Sequence, residues 1–458
     1  MARQMNRRVF LRNLASGAAG VVILPRAASA RSYRANEKVN VALVGIGGRG
    51  RWFVGCMPGM ATVVAVCDVN DRRAAESLKK MPGTPRFYDF RKMLDEKGKE
   101  IDGVVVATPD HTHAAASFAA MQAGKGVLCE KPLTRTVWEA RLLRETAGKR
   151  KVATQMGNQG TASRALRDHL SYIRAGVIGE VREVHVWKDS GGPGKPAAPG
   201  GSEPVPDGLK WDLWLGPAAG RDFHSDWLRW HDWRDFATGY LGNWSPHSSN
   251  LPFMALKVHE LWYADPATKP RLKVSAKVSA INKVSFPKWE VVRWEIPARG
   301  ELPAVTWTWH NGRESPDSRD LIEAKIGEGL DWGDKKEKKW HDHAGCILLG
   351  SKGRVFGNGH NTVCKLLPIE KFAQPPEVPA ALPASPGHER EWLGAIAGGP
   401  KAVSNFDYAG PLVEFLMLGN VATQVEGPIE YDPLAGRIVN HEQADQLLRF
   451  PPRKGWLA

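Results

Sequence analysis

Val39-Asn40-Val41-Ala42-Leu43-Val44-Gly45-Ile46-Gly47-Gly48-Arg49-Gly50 is the stretch that decides the fold. Its first six residues are nearly all apolar and read as a strand buried on both faces, as in a parallel sheet. Gly45, Gly47 and Gly50 then fit G-x-G-x-x-G where that strand gives way to a helical pattern. The first glycine allows a tight turn, the second lets backbone approach a pyrophosphate, and the third packs helix on strand. Ile46 lies inside the same turn and is grouped with them as cofactor-binding. The helix N–H groups that follow face the phosphates.

Outward from this stretch the pattern repeats. Apolar runs at Val39–Val44, Val63–Cys67, Gly103–Ala107, Gly126–Cys129 and Lys151–Met156 alternate with amphipathic stretches at Arg72–Met81, His113–Ala123 and Trp138–Lys149. Strand and helix in alternation predict a Rossmann-type, doubly wound parallel α/β domain over residues 36–157. From residue 158 to 458 the style changes. A helix at Ala162–Ala175 precedes longer-spaced strand-like runs at Val181–Trp187, Val274–Ala280, Val291–Ile296 and Ala304–Trp309. These predict an α+β domain: a largely antiparallel open sheet with helices on one side, holding the substrate. Ser190 to Gly208, rich in Gly and Pro, reads as a long functional loop.

The run V-A-V-C-D places Asp68 eighteen residues after Gly50. A carboxylate there accepts hydrogen bonds from both ribose hydroxyls and repels a 2′-phosphate, which favours NAD over NADP. Arg72 and Arg73 keep NADP open. Two further markers end strands: A-T-P-D-H-T-H (Ala107 to His113) and C-E-K-P (Cys129 to Pro132). Ligands bind outside the carboxyl ends of strands in open α/β sheets, so Thr108, Pro109, His113, Glu130 and Lys131 join the candidate cofactor site.

With these motifs the chain resembles the Gfo/Idh/MocA oxidoreductase family. The resemblance extends through W-D-L-W-L-G-P (Trp211 to Pro217), W-R-D-F-A-T-G (Trp233 to Gly239), S-N-F-D-Y-A-G-P (Ser404 to Pro411) and the R-K-G-W of Arg453 to Trp456. It implies an enzyme that moves hydride between a carbohydrate carbinol carbon and a nicotinamide. It implies Lys131 as catalytic and substrate-binding, beside the nicotinamide and the reacting hydroxyl. A partly desolvated lysine next to a positive ring titrates below its free value and so serves near neutral pH. The family also places an acid and a histidine four residues apart. Here Asn243 stands at the acid's place and His247 at the histidine's, making His247 the second candidate catalytic residue. Asn243 orients a sugar hydroxyl but takes no proton. Trp233 and Arg234 are the other expected substrate contacts, because flat aromatic faces suit a pyranose. Two alternatives stay open: a glycoside hydrolase that uses NAD catalytically, and a non-catalytic sugar or cofactor sensor.

Charge and composition limit the rest. Formal charge is +14, but residues 1–30 hold five arginines and no acids, so 58 basic against 49 acidic residues remain, or +9. The charges are mixed, with one tight run at Lys335–Lys339, and a nucleic-acid partner is not expected. The start reads N-R-R-V-F-L-R, then a short apolar stretch, then Ala28-Ser29-Ala30. That is a twin-arginine export signal, which predicts the export machinery as partner and an exported, periplasmic destination. The apolar stretch is too short to span a bilayer, so stable membrane insertion is not expected. Five scattered cysteines form neither a disulfide framework nor a metal cluster. His341-Asp342-His343 lacks further ligands, and no metal is expected. A homo-oligomer and a tightly held cofactor, folded in before export, complete the expectation.

Overall fold

The computed structural model describes residues 38–312, 318–328 and 344–457. Its first domain is a six-stranded sheet in the order β3-β2-β1-β4-β5-β6. The strands are β1 (Asn40–Val44), β2 (Thr62–Cys67), β3 (Arg86–Phe87), β4 (Gly103–Val106), β5 (Gly126–Cys129) and β6 (Thr154–Met156). All pair in parallel. Helices α1 (Gly50–Met60), α2 (Asp71–Lys79), α3 (Phe90–Lys97), α4 (Asp110–Gln122) and α5 (Val137–Arg150) join or flank them. β1 has β2 on one side and β4 on the other, so the winding reverses there and opens a crevice above the strand ends.

Local chemistry sets the helix starts. Asn70 caps α2 by accepting from Arg73 N at 3.0 Å, and a Thr136/Glu139 capping box opens α5. α1 has no side-chain cap, which leaves its first N–H groups for a ligand. The alternating residues Val41, Leu43, Val66, Val105 and Leu128 pack against Phe53, Val54 and Met57 of α1. Trp392 and Leu393 complete that cluster from the distant helix His388–Ile396. The seat is cut to shape, since a Cβ at Gly103 would lie 2.7 Å from Trp392 and one at Gly126 2.8 Å from Ile396.

The second domain is a nine-stranded sheet in the order β13-β12-β11-β7-β10-β9-β8-β14-β15. Its strands are β7 (Val181–Lys188), β8 (Leu272–Val278), β9 (Glu290–Ile296), β10 (Val305–Asn311), β11 (Ala344–Gly350), β12 (Arg354–Asn358), β13 (Cys364–Leu367), β14 (Ile429–Asp432) and β15 (Arg437–Ile438). Pairing is antiparallel except between β7 and β10. The helix Phe406–Ala422 covers one face, with Phe415 packed on Trp294 and Trp307. Its fully buried Glu414 accepts from Arg141 of α5 at 3.0 Å, from Trp262 at 2.7 Å and from Tyr431 at 2.6 Å. That network ties the two domains together, because a buried carboxylate must keep its partners.

Two expected boundaries shift. α5 runs on to Arg150 and ends with Lys151 in the left-handed region, so the strand expected from Lys151 starts at Thr154. α4 starts at Asp110 rather than His113, the residues after Pro109 already being helical. The Ser190–Gly208 loop is hydrogen-bonded along its course: Gly191 N to Asn311, Gly192 N to Pro287 O, and Gly208 O from Asp71 N, each at 3.0 Å. It thereby delivers the chain to the end of β2. Among the described residues no helix is long and apolar enough to cross a membrane. The leader-like segment 1–30, the Lys335–Lys339 run and His341-Asp342-His343 lie outside the described residues.

Candidate functional site

Gly45 has φ +80, a conformation that favours glycine, and a Cβ there would lie 2.7 Å from Ala107 O. At Gly50 a Cβ would lie 1.9 Å from Gly45 O. The β1–α1 turn is therefore as tight as the glycine spacing implies. It opens into a cavity of about 600 Å³ above β1, β2 and β4, within the range of cofactor pockets. Gly45, Gly47, Asp68, Thr108 and Pro109 line it, together with Arg72 and Arg73. Gly50 acts from behind, by packing.

Asp68 holds the loop as well as facing the cavity. One carboxylate oxygen accepts from Ile46 N at 2.9 Å and Gly47 N at 3.1 Å; the other accepts from Asn70 N at 2.9 Å. Burial raises its pKa, and those three N–H groups oppose the rise. The N–H groups of Ile46 and Gly47 are thus spent on Asp68, leaving later groups of the turn and the uncapped α1 for phosphate.

A second cavity of about 500 Å³ shares Gly48, Arg49, Arg73, Ala107, Thr108, Leu228 and Trp230 with the first. One continuous cleft results. Asp110, His113, Glu130, Lys131, Arg229, His231, Asp232 and Asn243 line its inner end. Arg49, the residue between the glycines of the turn, donates Nε to Glu130 Oε1 at 2.7 Å and so links the first motif to E-K-P. His113 joins the two strand-end motifs, with its ring nitrogens 2.7 Å from Pro132 O and 2.8 Å from Thr108 O. Both partners only accept, so both nitrogens carry hydrogen. Burial opposes that charge, but Cys129, Asp110 and the Pro132 carbonyl hold the imidazolium up to about 10. His111 instead packs between Trp214 and Phe236 and is pushed down to about 3, chiefly by burial.

Lys131 Nζ donates to Asn243 O at 2.9 Å and Asn243 Oδ1 at 2.5 Å. Burial lowers its pKa despite the nearby carboxylates of Glu130 and Asp110. A neutral amine satisfies those two acceptors with its two hydrogens and keeps a lone pair for an incoming proton. Asn243 ends the short helix Gly239–Asn243. His247 sits in the next turn, Ser245–Ser248, buried against His360 with ring centroids 4.5 Å apart. Its Nδ1 has no partner among the described residues, and burial first, then Lys131, depress its pKa. His247 is not among the side chains lining the two cavities.

Two expected substrate contacts are corrected. Trp233 is fully buried in an aromatic cluster and donates its indole N–H to Asp226 O at 2.9 Å. Arg234 is buried too, donating Nε to Asn282 O and Ser285 O at 2.8 Å and a terminal nitrogen to Thr423 Oγ1 at 3.0 Å. Both hold the second domain together, and neither lines the cleft. The residues just before them do: Trp230 and His231, stacked at 3.6 Å, and Asp232. Their signal in the sequence was the polar His-Asp pair inside a tryptophan-rich segment. Arg234→Ala is accordingly expected to cost about 3 kcal/mol of stability, by stranding buried acceptors. KM for sugar and nucleotide should stay at the parent values; thermal unfolding and steady-state kinetics check both.

Residues 39–158 match a family model described as an oxidoreductase family with an NAD-binding Rossmann fold. Over this segment the chain is similar to the Gfo/Idh/MocA oxidoreductases. NAD is the cofactor of the matched Rossmann fold, in keeping with the Gly45–Gly50 turn and Asp68. Among curated proteins, levoglucosan dehydrogenase of Pseudarthrobacter phenanthrenivorans is 27% identical over 32% of this chain and 39% of its own length. A glycosyl hydrolase family 109 protein of Stenotrophomonas maltophilia is 31% identical over 42% of this chain and 46% of its own. The chain thus spans less than half the length of these relatives. Over both domains, the WlbA dehydrogenase of Bordetella pertussis, solved with NADH and UDP-GlcNAcA, superposes with a TM-score of 0.56. That match is 16% identical and covers 86% of this chain and 98% of the other; it establishes the fold.

Proposed function

We propose that the chain is an NAD-dependent carbohydrate oxidoreductase, in which Lys131 accepts the proton of the hydroxyl whose carbon loses hydride. The observation that carries this is the half-buried Lys131 amine, held by Asn243, in the wall of a cleft continuous with the dinucleotide crevice. Bound NAD supplies the hydride acceptor. The protein's part is to orient, exclude water and move the proton. Asn243 aims the Lys131 amine, the Arg49–Glu130 pair steadies the loop that carries it, and Trp230, His231 and Asp232 offer a flat face and polar groups to sugar hydroxyls. The resemblance to levoglucosan dehydrogenase supports a sugar as substrate.

A second reading keeps the same proton acceptor. The likeness to a glycosyl hydrolase family 109 protein favours transient oxidation with loss of a glycosidic leaving group. We also propose export through the twin-arginine route with the nucleotide already in place, which leaves only redox-neutral or acceptor-coupled cycles outside the cytoplasm. Mass spectrometry of products from free sugars and glycosides, with no cofactor added, tests these readings together. An oxidised sugar paired with a reduced acceptor is the expected result. Release of an aglycone without net oxidation would establish the second reading. No product from any of them, with nucleotide bound, would sink both.

A further inference from the structure

The outer part of the cleft is lined in part by a residue more than three hundred positions from Asp68, Trp456. Trp456 lines the same 600 Å³ cavity as Asp68, Phe90 and Thr112. A Cβ placed on Gly216 would lie 2.8 Å from Thr112 and 3.7 Å from the Trp456 ring, so the missing side chain at 216 leaves room for both, and the indole meets Phe90 edge-on with ring centroids 6.0 Å apart. The segment that carries it is fastened at several points. Arg453 donates to Gly216 O and Asp212 O, each at 2.8 Å, and to the Asp212 carboxylate at 2.5 Å, while its own N–H reaches Pro217 O at 2.9 Å. On the other side Arg91, held by Asp89, lies 4.1 Å over the indole and donates to Gly455 O at 3.3 Å.

A Rossmann crevice by itself leaves the adenosine half of a dinucleotide against an open edge. Here Asp68 marks the ribose position, and Trp456 supplies an apolar, planar wall on the same cavity. We propose that Arg453–Trp456 is a strap over the adenosine end of the cofactor site, with Trp456 the surface on which the purine rests and Arg453 the fastening. It slows nucleotide release. This inference rests on the NAD-binding reading above, and deepens it by assigning retention to a segment outside the Rossmann domain. Purine stacking on an aromatic side chain is worth about 10- to 100-fold in affinity.

The test uses full-length protein and two half-cofactor probes, AMP and nicotinamide mononucleotide, by calorimetry, together with the release rate of NAD. For Trp456→Ala the expected result is about 10- to 100-fold weaker AMP binding, unchanged mononucleotide binding and correspondingly faster NAD release. Trp456→Phe should restore most of the loss. Arg453→Ala should shift the same readouts in the same direction, and carries the test if the alanine variant at 456 does not fold. Parent-like AMP affinity and NAD release in the variants would overturn the strap alone. A parent protein that binds neither AMP nor NAD would overturn the cofactor reading beneath it.

Discussion

Replacing Lys131 with alanine is expected to lower sugar turnover by about 10²- to 10⁴-fold, the usual contribution of a positioned proton acceptor, while nucleotide stays bound. Glu130 and Arg49 remain paired in that variant, and none of the cavity walls around the adenosine half is touched. Single-turnover reduction of bound NAD isolates the step. The sign of the pH dependence follows from the amine. Burial lowers the Lys131 pKa from 10.5, so the neutral, proton-accepting form persists to lower pH than for a free lysine. The oxidation rate should rise with pH and level off below 10.5. Lys131→Arg, charged at every accessible pH, should stay slow and lose that rise. Parent-rate turnover by the nucleotide-bound alanine variant would remove Lys131 from the chemistry.

Gly50→Ala is expected to have the largest structural effect. Its Cβ would sit 1.9 Å from Gly45 O, a contact made with backbone and not with a movable side chain. Helix α1 must lift from the turn, at a cost of about 3 kcal/mol or more, and the N–H groups at its start lose their aim. Protein purified from this variant should carry no nucleotide and unfold at lower temperature. Gly55 lies in the same helix with nothing within 4 Å of a Cβ. Gly55→Ala should therefore retain nucleotide and gain about 0.5–1 kcal/mol from helix propensity. An equal loss in both variants would mean that helix composition, not the turn, sets the effect.

The fold was legible because its signals are local. Gly45–Gly50, the apolar runs and Asp68 each depend on residues a few positions apart, and period and turn chemistry read such spacings directly. The two-residue strand β3 escaped, since two residues carry no period. In the site, Lys131 and Asn243 were named as candidates, and their mutual hydrogen bond spans 112 positions. The Arg49–Glu130 link, 81 positions apart, has no local trace. Trp233 and Arg234 were misplaced for a related reason. A 3-10 turn at Trp230–Asp232 aims those three side chains at the cleft and sends the next two into the core. Nothing in the spacing of tryptophans distinguishes the two directions. Burial has to be seen.

The helix His388–Ile396 sets a condition on how this molecule is made. Trp392 and Ile396 fill the hollow left by Gly103 and Gly126 on the nucleotide-binding sheet, more than two hundred residues upstream. A ribosome that has released only the first 160 residues has therefore produced a sheet with one side partly bare. The first sheet therefore gains its full covering only once translation has passed residue 396, so the N-terminal domain completes its core late, with the C-terminal part of the chain.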